Sequence, residues 1–177
     1  MKHIYKPSEN ESGVMAQGYI KLLPNDGLVL EYMRRNLDIM KELVRSFPEE
    51  KLTYRFAEGE WTIKEILGHV IDTERIFSYR ALRFARNDTT SLPGFEQDDY
   101  VPYARSNERS LDDILEEYAT VRSSTLALFE QFDDDALSRT GIASGELAAH
   151  FGNGITGFVQ GFDEFGTIGA EIVPQAR

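Results

Sequence analysis

The chain has 177 residues, a net charge of −11 at pH 7 and no cysteine. This length allows one domain with a sizeable core, and the lack of cysteine excludes disulfides, thiolate nucleophiles and cysteine metal ligands. Because nucleic-acid binding requires neutralisation of phosphates, a chain this acidic is not expected to bind nucleic acid. The sequence shows neither a signal-peptide pattern nor about 18 consecutive apolar residues, so we expect a cytoplasmic protein without membrane contact.

The N-terminal part of the chain predicts an arm followed by a first long helix. Residues 1–23 are polar with scattered aliphatic side chains, and we interpret them as an arm. Residues 24–27 have the composition of a turn. Apolar residues then recur at helical spacing from Val29 to Phe47, and Pro48 ends the pattern.

The strongest helical pattern begins at Thr62. This threonine followed three residues later by Glu65 is a capping box, and apolar residues then recur at steps of three, four and seven to about Ala85. His69 lies at the edge of that apolar stripe. At ~100° per residue, its neighbours on the same flank are Glu65 and Asp72. This flank therefore offers one imidazole and two carboxylates, which a bundle could gather around a metal ion.

A third long helix is predicted after a long connection. Residues 87–109 lack a sustained period, and connections of this length are often functional, although a packed surface loop is the alternative. Ser110 opens the next helix, with Asp113 three residues later as a variant of the capping box. Apolar residues continue at helical spacing from there to Phe132.

The last part of the chain has a different character. Eight of the 14 glycines follow residue 140, at positions 141, 145, 152, 154, 157, 161, 166 and 169. Each interior glycine costs a helix roughly 1 kcal/mol relative to alanine, so a fourth long helix has little support there. A frameshift or another error at the end of the gene would explain the change, and resequencing the gene would test that hypothesis.

These elements predict an all-α helical bundle, whose fourth surface could come from a second copy of the chain, the N-terminal arm or a collapsed tail. The arm covers residues 1–23, the bundle residues 24–145, and an atypical glycine-rich segment residues 146–177. Three amphipathic helices need a fourth surface to close a bundle. Because the apolar seams outnumber the helices available to cover them, we expect a homodimer.

Several motifs together resemble the DinB-like superfamily. They occur in the expected order within residues 19–145: Tyr54–Arg75, Tyr79–Arg86, Leu92–Val101, Arg109–Leu111 and Val121–Phe129. The resemblance implies a four-helix bundle, often a homodimer. Many members of the superfamily hold a divalent metal, commonly zinc or nickel, with three histidines. Characterised relatives are metal-dependent hydrolases, thiol S-transferases and a maleylpyruvate isomerase.

The resemblance also assigns metal ligands. His69 stands in the His-x-x-Asp step of the second helix and corresponds to the first family histidine. The other two belong to a Gly-His-x-x-His-His motif in the last helix, and this sequence departs from the motif. His150 is the remaining candidate, but Gly154 occupies the position four residues on and cannot ligate. The resemblance therefore implies a metal site with part of its ligand set missing.

Each candidate site residue has a functional and a structural interpretation. A metal held by His69 and His150 would act as a Lewis acid or lower the pKa of a bound water. Asp72 would orient the imidazole or act as a base, and Arg75 and Arg80 would hold an anionic group of a small-molecule substrate. The alternatives are a packed, hydrogen-bonded histidine and arginines paired with the 30 acidic residues.

Two functional hypotheses follow from these interpretations. The first is a divalent-metal-dependent enzyme of the DinB-like type, either a hydrolase or a small-thiol S-transferase. The alternative is a metal-free dimeric bundle that serves as a binding or scaffold protein. The motif match favours a common fold in both cases, whereas the missing histidine pair favours the alternative.

Overall fold

Helices make up most of the structure, which is a computed structural model describing residues 2–6, 21 and 24–149. The helices are α1 (Val29–Arg45), α2 (Glu49–Leu52), α3 (Ile63–Ala85), α4 (Gln97–Ala104), α5 (Leu111–Glu130) and α6 (Asp134–Ser138), with a 3₁₀ turn at Ser106–Glu108. Two strands follow, β1 (Thr140–Ala143) and β2 (Glu146–Ala149). The predicted helical fold class is confirmed. Residues 150–177, which make up most of the predicted glycine-rich segment, are outside the described residues.

The capping box predicted at the start of α3 forms with both of its bonds, and the predicted cap residue Ser110 caps α5. The hydroxyl of Thr62 accepts from the Glu65 backbone N–H at 3.2 Å, and the Glu65 carboxylate accepts from the Thr62 backbone N–H at 2.8 Å. At the start of α5, the Ser110 hydroxyl accepts from the Asp113 backbone N–H at 3.1 Å. Each cap satisfies amide groups that have no partner inside the helix, which is why both helices begin at these residues.

Short helices occupy connections in which the sequence shows no helical period. The helix α2 buries Leu52, and α4 buries Val101 in spite of Pro102 in its second half. A helix that contributes one buried residue produces no repeating apolar pattern, so periodicity could not reveal either element.

The core of the bundle lies between α1, α3 and α5. Its larger apolar cluster is Met40, Val44, Leu52, Ile63, Ile66, Leu67, Val70, Ile71, Ile114, Leu115, Tyr118 and Val121. A second cluster lies at the other end of the helices and takes in Ile4 from the arm. The backbone N–H of Ile4 donates to the Gly27 carbonyl at 2.9 Å. In the described part of the chain, no helix has the length and apolar character needed to cross a bilayer.

A β-hairpin packs beside the end of α3. Its turn residues Ser144 and Gly145 have φ values of 55° and 79°, the left-handed backbone that tight hairpin turns require. The Leu92 backbone N–H donates to Ile142 at 2.9 Å and so joins the hairpin to the preceding connection. A Cβ on Gly141 would lie 2.1 Å from the Phe84 ring, so glycine permits the close approach to α3.

Candidate functional site

His69 lies in the second turn of α3 and is buried, with 5% of its surface exposed. Its ring packs against Trp61, which precedes the cap residue of the helix, with 4.9 Å between centroids and 51° between planes. The Thr73 hydroxyl lies 3.4 Å from Nδ1 and 3.5 Å from Nε2. The imidazole is thus held between an aromatic ring and a hydroxyl on its own helix.

Burial controls the protonation of this histidine. Removal from water lowers the pKa of His69 from 6.5 to about 4, and the carboxylate of Asp98 in α4 opposes that shift only in part. The ring is therefore neutral at pH 7. Neutral imidazole is the form that ligates metal ions, because the ring nitrogen then keeps its lone pair.

The carboxylate of Glu65, four residues before His69, is engaged at the start of α3. Besides the Thr62 backbone N–H, it accepts from Arg55 Nη2 at 2.6 Å and from Asn107 Nδ2 at 3.0 Å. These contacts tie α3 to the connections on either side of it. The side chain is 8% exposed, so this carboxylate acts as a structural acceptor.

Asp72 and Arg75 lie in a network of charges between α3 and α5. Arg75 Nη1 is 3.5 Å from Asp72 Oδ1, and Arg75 Nη2 is 2.6 Å from Glu117 Oε1. Burial raises the pKa of Asp72, and Arg75 offsets part of that shift. The guanidinium of Arg75 is therefore shared between two carboxylates, which agrees with the structural interpretation of this residue.

Arg80 has different surroundings. It is 4% exposed, and its Nη2 donates to the Pro93 carbonyl at 2.9 Å and to the Ser144 hydroxyl at 3.1 Å. The Phe77 and Phe95 ring centroids lie 5.3 and 5.9 Å from its Cζ. Burial lowers the pKa of Arg80. No carboxylate in the described part of the chain lies within 4.0 Å of this guanidinium.

The described residues do not by themselves fit a divalent metal. Residues 2–6, 21 and 24–149 contain no group of three or more histidine, aspartate and glutamate side chains that could hold one. A catalytic zinc needs about three protein ligands and an open position. His69 supplies one candidate ligand, and His150 lies outside the described residues.

Comparison with known proteins identifies the family. The sequence model of the DinB superfamily matches residues 32–155, well over half of the chain. The chain belongs to the DinB superfamily. The resemblance found in its motifs is thereby confirmed. A search of curated proteins finds no significant match.

Solved structures show the same fold at low sequence identity. One is YfiT from Bacillus subtilis, a probable metal-dependent hydrolase with an unusual four-helix bundle topology. It aligns with a TM-score of 0.62 and 18% sequence identity over 88% of this chain and 83% of that chain. The mycothiol-dependent maleylpyruvate isomerase aligns with a TM-score of 0.60 and 13% sequence identity over 81% of this chain and 61% of that chain. The DinB-like protein YjoA from Bacillus subtilis aligns with a TM-score of 0.56 and 14% sequence identity over 84% of this chain and 92% of that chain.

A buried polar cluster in this DinB bundle was not predicted from the sequence. We call Asn36, Glu74, Tyr118 and Arg122 the polar layer; all four are at most 3% exposed. Arg122 Nε lies 2.9 and 3.1 Å from the two Glu74 oxygens, and its Nη2 donates to Glu74 at 3.0 Å and to the Tyr118 hydroxyl at 2.8 Å. Its Nη1 donates to the Met33 carbonyl at 2.6 Å.

Other contacts join the layer to α1 and affect its ionisation. The Tyr118 hydroxyl donates to Asn36 Oδ1 at 3.2 Å. Burial raises the pKa of Tyr118. Burial would lower the pKa of Arg122, but neighbouring Tyr118 and Glu74 outweigh it and raise the pKa. The layer therefore connects all three long helices through directional bonds.

A signal for the polar layer does exist in the sequence. Buried positions of α3 follow steps of four and three, with the half-buried Phe77 continuing the series: Ile63, Leu67, Val70, Glu74, Phe77, Ala81 and Phe84. Those of α5 follow the same steps: Leu115, Tyr118, Arg122, Thr125 and Phe129. An acid and a base at seam positions of two helices indicate a buried pair, since neither can be buried alone at acceptable cost.

Proposed function

We propose that the protein is a small-molecule enzyme of the DinB type, a hydrolase or small-thiol S-transferase that depends on divalent zinc or nickel. The observation that carries the proposal is the buried imidazole of His69, which is neutral at pH 7. Two similar structures support it. One is described as a probable metal-dependent hydrolase and the other as an isomerase that depends on the thiol mycothiol.

The proposal requires ligands beyond His69. A catalytic zinc centre uses about three protein ligands, so at least one must come from outside the described residues or from a second copy of the chain. His150 is the candidate imidazole within residues 150–177. The Trp61 ring beside His69 would restrict its rotation and so limit the directions in which it can ligate.

Arg80 is the proposed residue for binding an anionic group of the substrate. Its guanidinium is largely removed from water and has no carboxylate within 4.0 Å in the described part of the chain. A buried cation without a counter-charge is stabilised when an anion binds, whereas Arg75 already contacts Asp72 and Glu117. Asp72, whose pKa is raised by burial, is the proposed base or orienting carboxylate.

Metal analysis of protein purified without a histidine tag tests the proposal. We expect about one zinc or nickel per chain in the wild type, by analogy with catalytic sites of one metal. His69→Gln should lose the metal, because an amide of similar size is a poor ligand. The matched control is His3→Gln, which removes an exposed imidazole and should retain the metal. His150→Gln should also lose it.

The alternative is a metal-free bundle that binds small molecules or serves as a scaffold. The engagement of Glu65 in the cap of α3 favours this alternative, because that carboxylate is thereby removed from the candidate ligands of the described residues. Sub-stoichiometric metal in the wild type that is unchanged in His69→Gln would support the alternative and reject the enzyme.

We also propose that the protein forms a homodimer. The support is the exposed apolar surface of the long helices, such as Ile39 on α1, whose side chain is 51% exposed. Light scattering at micromolar concentration should give twice the chain mass of 20.1 kDa. A folded species at the mass of one chain would reject the dimer.

A further inference from the structure

The polar layer differs from the apolar core because its hydrogen bonds are directional. Hydrophobic burial depends on area rather than angle, so an apolar core distinguishes a small rotation or slide of a helix mainly through the fit of its side chains. The bonds from Arg122 to Glu74, Met33 and Tyr118 require particular distances and angles. They are all satisfied in one arrangement of α1, α3 and α5.

Burial makes other arrangements costly. Arg122 is 1% exposed and Glu74 is fully buried, so neither finds water if the other moves away. The cost of an unpaired buried charge then penalises every register in which the two fail to meet. Asn36 Nδ2 is buried without a hydrogen-bond partner in the described residues, and an unsatisfied buried donor costs stability.

We propose that the polar layer is a positioning device, which selects one rotation and register of α3 against α1 and α5 and thereby holds His69 in one place. Glu74 and His69 are five residues apart on one continuous helix, so both move when α3 rotates. A shift of one residue turns the face of a helix by ~100° and would separate Glu74 from Arg122. The same shift would change the position of His69 relative to α4, which carries Asp98.

This inference rests on the proposed function only in that His69 is the site residue that the layer positions. Glu74, Arg122, Tyr118 and Asn36 are positioning residues, because they act through the orientation of α3. The layer serves specificity, since apolar side chains of similar volume would preserve stability in a buried cluster of this kind.

The test replaces the whole layer by apolar residues in the full chain, as Asn36→Leu, Glu74→Met, Tyr118→Phe and Arg122→Met together. Histidine ring signals are recorded by two-dimensional NMR, and His69→Gln identifies the signal of His69. In the wild type we expect one His69 signal, displaced by the ring current of Trp61. In the fourfold variant we expect cooperative unfolding to persist while the His69 signal divides or broadens.

A matched control removes a different ion pair between α1 and α5. Arg34 and Glu130 form such a pair, but their side chains are 34% and 49% exposed. The variant Arg34→Met, Glu130→Met should keep the single wild-type His69 signal. Division of the signal in this control would overturn the proposal, because any interhelical pair would then have the same effect.

Three further results would also overturn the proposal. They are several His69 signals in the wild type, one signal at the wild-type position in the fourfold variant, and loss of folding in that variant. The last result would show that the layer supplies stability. The spectra are recorded on protein as purified and after chelator dialysis, so a failure of the metal proposal is detected separately.

Discussion

Helix α3 carries two buried polar sites that differ in how the free-energy cost of removing a charge from water is avoided. At the polar layer, the Glu74 carboxylate forms an ion pair and hydrogen bonds with the Arg122 guanidinium. Five residues earlier, burial lowers the pKa of His69 to about 4, so the ring is neutral at pH 7. The first site is neutralised by pairing, whereas the second is neutralised by loss of the proton.

This difference separates the structural polar groups from the candidate functional ones. A paired charge in the core is fixed by its partner and cannot be changed alone without a large loss. A neutral imidazole tolerates burial and still binds a metal or donates a hydrogen bond. Arg80 stands between the two cases, since it is buried like Arg122 but contacts neutral acceptors in the described residues.

The largest predicted effect on stability is at Glu74. Glu74→Ala should lower the free energy of unfolding by ~3–5 kcal/mol, because Arg122 is left as an unpaired buried charge. Urea denaturation followed by circular dichroism measures this loss. The control Glu130→Ala removes the exposed partner of Arg34 and should cost about 0–1 kcal/mol. Equal losses in the two variants would mean that burial does not distinguish these pairs.

A smaller effect should appear at His69 when the pH is lowered. The unfolded chain binds a proton near the ordinary pKa of 6.5, and the folded chain does so only near 4. Between these values the unfolded state binds more protons, so stability falls as the pH decreases from 6.5 to about 4. The loss from this residue is roughly 3 kcal/mol, and no further loss comes from it at lower pH.

His69→Gln isolates that contribution, because the carboxylates titrate in both proteins. The difference in unfolding free energy between wild type and variant, measured in urea after chelator dialysis, should change over this pH range and stay constant above it. A difference that does not vary with pH would show that His69 is not desolvated in the folded state.

The smallest effects are expected at the two helix caps. Thr62→Ala should cost about 1–2 kcal/mol, because the buried hydroxyl accepts from Glu65 and donates to Asn107 at 2.7 Å. Ser110→Ala at the exposed start of α5 should cost about 0.5–1 kcal/mol. Thermal unfolding of both variants compares them. A larger loss at Ser110 would show that the exposed cap contributes more to stability than the buried one.

Short-range features were predictable from the sequence. The caps at Thr62 and Ser110 formed as predicted, since a cap depends on residues three positions apart. The end of α3 at Ala85 and the helical fold class were also confirmed. The roles of Asp72, Arg75, Arg80, His69 and His150 in ligand binding stay predictions.

Long-range pairing could not be obtained in the same way. Glu74 and Arg122 are separated by 48 positions, and Arg80 and Ser144 by 64, so no local pattern shows that they meet. Glu74 and Arg122 stand at helical spacing from apolar core residues, but that spacing does not indicate which helix faces adjoin. The short helix α4 was missed because it buries Val101 and has no repeating apolar stripe.

By itself, the sequence determined the three long helices, the residues at which two of them begin, the presence of His69 on the second and membership of the DinB superfamily. All of these depend on spacing along the chain. The tertiary structure decided that Glu65 supports the cap of α3, that Arg75 is shared between carboxylates and that Glu74 pairs with Arg122. These outcomes depend on which faces of distant helices come together, because side chains compete for partners only after the bundle has packed.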